Sequence, residues 1–151
     1  MHNYVKPYVD KIIKKHDETN VFKIAKSMGI KVILRNLGGC MGMTVKKGRS
    51  RVIFINEQVT SEKQEFICAH ELAHIILHPN TNMSFLRNYT LFSVDQKERE
   101  ANFFAFELIF GRREYISKTE LIVDYGFEAE LLKDFMGERA MGQSGFWGQG
   151  G

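Results

Sequence analysis

Residues 60–79 read TSEKQEFICAHELAHIILHP. Within this apolar run His70, His74 and His78 recur every four residues, and Glu71 stands directly after the first of them. Ser61 and Gln64 make a capping-box pattern at its start, and Pro79 cannot continue a helix. The spacing therefore predicts a helix over about 62–78. On such a helix, residues four apart point only about 40° away from each other. His70 and His74 thus present two imidazoles to one point, and a one-turn offset suits two bonds of about 2.0–2.1 Å to a zinc ion. Glu71 lies on the flank of that face, where its carboxylate reaches a water held by the metal. This is the H-E-x-x-H arrangement, with Glu71 as general base. Without a metal, a charged Glu71 buried between two histidines would lack a partner. With one, the apolar surroundings serve to exclude water and fix the ligands.

A catalytic ion needs a third protein ligand and an open position. Over two turns the helix face drifts by about 80°, so His78 is expected behind the ion or at the helix C-terminus, where the dipole favours it. The better source is DQKEREANFFAFELIF, residues 95–110, a second strong helix with Ala101, Phe104, Ala105 and Leu108 on one face. Glu98 lies about 60° from the centre of that face and Glu100 about 100°. Glu98 is the preferred third ligand. Glu100 is the runner-up and is otherwise expected on a solvated face. Asn102, four residues after Glu98, is placed to orient a ligand carboxylate or a histidine through its amide. Tyr89, Arg87 and His78 are candidate donors to a developing oxyanion. One zinc ion is the expected cofactor, although two imidazoles and a carboxylate also accept other divalent transition metals.

Working outward, Tyr4, Val5, Tyr8, Val9, Ile12 and Ile13 recur at four-residue spacing, which predicts a first helix starting near Pro7. A second helix is predicted over about 20–28, capped within DETN and stopped by Gly29. IKVILR reads as a strand, and MGMTV and RVIFIN read as a hairpin around KKGRS. Its tip gathers Lys46, Lys47, Arg49 and Arg51. Its edge is a place where an extended peptide can add as a strand. A polar loop is expected from Asn80 to about Ser93. Past residue 110, Ser117 and Glu120 cap a short helix, and EAELLKDF forms a last one. The order of elements gives an α+β domain, mostly helical, with a three-stranded sheet before the histidine-bearing helix. Residues 1–138 form the domain and 139–151 a glycine-rich tail containing Phe146 and Trp147.

The 151 residues suit one domain. A net charge of +3 is too small to argue for nucleic acid, and no run is long enough to span a membrane. The N-terminal MHNYVKPYVDK lacks a signal peptide's apolar core. Two cysteines, Cys40 and Cys68, do not make a disulfide framework. A cytoplasmic monomer is the expectation.

INEQVTSEKQEFICAHELAHIILH followed by EREANFFAFELI resembles the ImmA/IrrE family of zinc metallopeptidases over residues 38–109. The resemblance implies a small zincin-like domain, His70, His74 and Glu98 as metal ligands, and Glu71 as catalytic acid/base. It further implies a role in a phage, conjugative element or stress response. There the enzyme cleaves a helix-turn-helix, DNA-binding repressor and so releases transcription. In this chain the second motif runs ELIFGRREY, where the family commonly continues into Leu-Met-Pro. A competing expectation is an antirepressor that sequesters the repressor without cutting it; an intact Glu71 argues against it. Direct DNA binding ranks last, because no recognition-helix pattern is present.

Overall fold

The computed structural model describes residues 1–80, 83–86 and 95–142. Among these, the order is α1 (His2–His16), α2 (Val21–Ser27), β1 (Lys31–Arg35), β2 (Gly42–Lys47), β3 (Ser50–Asn56), α3 (Ser61–Leu77), β4 (Met83–Leu86), α4 (Gln96–Phe110), α5 (Lys118–Val123) and α6 (Ala129–Gly142). The α+β class expected from the sequence is the one observed. No helix among the described residues is long and apolar enough to cross a membrane.

The sheet is mixed, with strand order β1-β3-β2-β4. β1 runs parallel to β3, with Ile33 opposite Phe54. β2 and β3 form the predicted hairpin, closing at Lys47 opposite Ser50. Gly48 takes the left-handed backbone that this tight turn requires, with φ +61°. The fourth strand is a correction. It falls within the segment expected to be a polar loop and pairs antiparallel with β2, Gly42 opposite Leu86 and Val45 opposite Met83. A four-residue strand is too short to show an alternating pattern, but it satisfies the backbone groups along the outer side of β2. Over Gly42–Val45 β2 is therefore covered by β4 and offers no free edge there, contrary to expectation; among the described residues β1 and β4 are the outer strands.

Two helix starts also differ from the sequence reading. α1 begins at His2 and carries Pro7 inside it. Val5 and Val9 are both fully buried, so the packed stripe begins ahead of the proline and holds the helix through the missing donor. α3 is capped one residue early: Thr60, not Ser61, accepts a hydrogen bond from the Lys63 amide. Gln64 donates to the Val59 carbonyl at 3.1 Å instead of closing a capping box. The α5 cap follows expectation, with Ser117 accepting from the Glu120 amide.

The core lies where α3 packs between the sheet and α4. Phe66, Phe104, Phe110, Phe127 and Phe135 are fully buried, together with Ile53 and Ile55 from the sheet. Each such side chain contributes about 1.5–3 kcal/mol by leaving water. Cys40 and Cys68 are not joined in a disulfide, and burial pushes the Cys68 thiol up to about 12. α6 runs on to Gly142; Phe146 and Trp147 lie outside the described residues.

Gly42, the first residue of β2, sets how closely the sheet approaches α3. A Cβ there would collide with the Ile67 side chain and sit 3.2 Å from the Phe54 carbonyl oxygen. Gly42→Ala is expected to cost about 1–3 kcal/mol, the usual penalty for overpacking. Urea denaturation of the two proteins measures this difference.

Candidate metal centre

α3 and α4 meet at three side chains. His70 and His74 stand one turn apart on α3, and their Nε2 atoms are 3.2 Å apart. Glu98, in the first turn of α4, places Oε2 3.1 Å from His70 Nε2 and Oε1 2.9 Å from His74 Nε2. Two ligands bonded at about 2.05 Å to a tetrahedral ion sit about 3.3 Å from each other, so this triangle is close to the size an ion requires. Among the described residues, these three side chains are the group of His, Cys, Asp or Glu that can hold a metal. The ring of His70 is fully buried, whereas Glu98 keeps 20% exposure. The site thus opens on the Glu98 side.

The donor chemistry fits a cation. His70 Nδ1 lies 2.8 Å from the Asn102 side-chain oxygen, a pure acceptor, so the ring proton sits on Nδ1. His70 Nε2 then turns a lone pair toward a carboxylate that can only accept. The arrangement is balanced only with positive charge in the middle. The protonation shifts agree. Burial resists ionisation of Glu98, but the hydrogen bonds and charges of His70 and His74 outweigh it and hold the carboxyl far below the usual range. Burial likewise disfavours charge on His70, yet Glu98 and Glu71 raise its affinity for a proton. Both residues favour a cation between them.

Glu71 is fully buried on the flank of the same helix. Its Oε2 accepts a hydrogen bond of 2.6 Å from the Thr44 hydroxyl on β2. Thr44 was not legible as a site residue, because it stands 27 positions upstream in a strand. Thr44→Val is expected to lower turnover about 10–100-fold while leaving metal content unchanged, since hydrogen bonds to charged groups contribute about 1.5–3 kcal/mol. Thr44→Ser is expected to keep turnover near the parent value; kinetics with metal analysis of the three proteins checks both.

Glu100 is corrected from a solvated position to a buried one, 8% exposed. A wheel with a single packed face leaves this flank of α4 to solvent, but α1 covers it, and Met1 and Tyr4 line a hollow beside Glu100. Its Oε2 lies 2.8 Å from His78 Nε2. His78 in turn places Nδ1 3.0 Å from His74 Nδ1, so both ring nitrogens are engaged and neither serves an oxyanion. Arg87 and Tyr89, the other oxyanion candidates, lie outside the described residues.

A family model described as the IrrE N-terminal-like domain, Peptidase_M78, matches residues 25–136. The chain belongs to this family. The M78 match runs from α2 into α6, and so takes in the whole sheet and both helices of the candidate centre. One relative is the uncharacterized immunity region protein 2 of Bacillus phage phi105, 41% identical over 106 residues, which are 70% of this chain and 67% of that one. Another is metallopeptidase ImmA of Bacillus subtilis (strain 168), 34% identical over 107 residues, 70% of this chain and 62% of that protein.

Proposed function

We propose that this M78 family member is a metal-dependent endopeptidase that cuts a helix-turn-helix, DNA-binding repressor of a phage or mobile element and thereby relieves repression. The observation that carries the reading is the convergence of His70, His74 and Glu98 beside a buried Glu71. The names of the two relatives, an immunity region protein and a metallopeptidase, support a protease acting in phage immunity.

His70 and His74 through Nε2, and Glu98 through its carboxylate, would hold one divalent ion, with zinc the first choice for this donor set. When bound, the ion supplies Lewis acidity that polarises a peptide carbonyl and acidifies water. The Glu71 carboxylate takes a proton from the attacking water and delivers it to the departing amine nitrogen. The peptide C–N bond breaks, one water is consumed, and a carboxylate and an amine are released. Thr44 holds the Glu71 carboxylate in orientation, and Asn102 holds the His70 ring. In this reading the protein works in the cytoplasm, on a protein substrate.

Incubating the zinc-loaded protein with a helix-turn-helix repressor of a phage immunity region, with and without chelator, tests this by mass spectrometry. The expected result is two repressor fragments that chelator abolishes. An intact repressor held in a stable complex, with repression still relieved, would point to sequestration instead.

A further inference from the structure

We propose that His78 and Glu100 are positioning residues for the metal centre, forming a hydrogen-bonded relay behind His74 that aims its Nε2 lone pair at the ion. The inference rests on reading His74 as a ligand, and it assigns work to two side chains that neither hold the ion nor touch substrate.

The relay follows from counting protons. For His74 Nε2 to offer a lone pair at the centre, the ring proton must sit on Nδ1. That nitrogen lies 3.0 Å from His78 Nδ1, so His78 must accept there. The proton of His78 is then on Nε2, which lies 2.8 Å from Glu100 Oε2 and donates to it. The other Glu100 oxygen accepts from the Gln96 side-chain amide at 2.9 Å. Every atom in the chain has one consistent role, and it ends on a carboxylate. A charged His78, merely complementing the end of the helix dipole, would carry protons on both nitrogens. Two N–H groups would then face each other at 3.0 Å.

The backbone explains how a third histidine can do this. His78 is the C-cap of α3 and has left helical geometry, with φ −128° and ψ 59°. Pro79 disfavours the helical region for the residue before it. The His78 amide still donates to the His74 carbonyl at 2.9 Å, so main chain and side chain both tie the pair together. On a helix continuing straight, the ring would have drifted away from the centre. The end of the helix instead brings it to the far side of the His74 ring. α4 thereby supports both imidazoles, unequally: His70 meets the neutral amide of Asn102, and His74 meets a carboxylate through His78. A carboxylate at the end of such a chain makes the ligand ring a stronger donor, and losing an outer partner of this kind typically weakens metal affinity about 10–100-fold.

The test compares the metal-free parent with His78→Phe, Glu100→Gln, the double variant and His70→Ala. Each is titrated with zinc against a competing chelating dye and with cobalt(II) by visible absorption. Melting of the metal-free proteins reports folding. The parent is expected to bind one equivalent and His70→Ala none, which checks the underlying reading. His78→Phe and Glu100→Gln are each expected to bind zinc about 10–100-fold more weakly and to alter the cobalt spectrum. The double variant is expected to be no weaker than the weaker single one, because the two residues act in series. If His78→Phe does not fold, the near-isosteric Glu100→Gln decides alone. Parent-like affinity and cobalt spectra in the folded variants would overturn the relay while leaving the centre standing. Losses that multiply in the double variant would also overturn it. A parent that takes up no metal would remove the centre and the relay with it.

Discussion

Glu71→Gln is expected to keep one metal ion per chain and to lower peptide hydrolysis by about 10²–10⁴-fold, the usual contribution of a positioned acid/base. Glutamine has nearly the same shape, and its side-chain oxygen can accept the hydrogen bond that Thr44 now gives to Oε2. Fold and ligand geometry should therefore survive. What disappears is a group able to take a proton from water and return it to the leaving nitrogen. Turnover of a fluorogenic peptide, measured alongside metal content, separates the two effects. Undiminished turnover with metal bound would remove Glu71 from the chemistry.

His74→Ala is expected to act earlier, on the ion itself. One of three donors goes, and the Glu98 carboxylate loses the partner 2.9 Å from Oε1. Metal content should fall well below one per chain and turnover to background. Stability gives a second readout. A ligand present at a thousandfold its dissociation constant stabilises the folded state by about 4 kcal/mol, roughly 10 °C in melting temperature for a domain of this size. Added zinc should raise the melting temperature of the parent by about this amount and leave His74→Ala unmoved. An equal rise in both proteins would mean that the ion binds elsewhere.

The candidate site was legible in the sequence to the extent that it is local. His70, Glu71 and His74 share one helix, and helical periodicity alone places them together. Glu98 could be ranked over Glu100 from the buried face of its own helix, because Ala101, Phe104 and Ala105 mark that face. What lay beyond reach depended on other elements. The Thr44 hydroxyl meets Glu71 because β2 packs under α3, and strand-to-helix contacts leave no periodic trace. Glu100 is buried because α1 covers the flank of α4 that a wheel leaves to solvent. His78 reaches His74 only because the helix ends where it does. The fourth strand is not legible in the sequence for a related reason: four residues inside a polar segment have too little pattern, and their partner along β2 is distant in sequence.

Crystals soaked in zinc and measured at the zinc absorption edge test the convergence of α3 and α4 most directly. One anomalous peak is expected, about 2.0–2.1 Å from His70 Nε2, His74 Nε2 and a Glu98 oxygen, with a fourth position not filled by protein. No peak between the two helices, or a peak enclosed by four protein ligands, would contradict it.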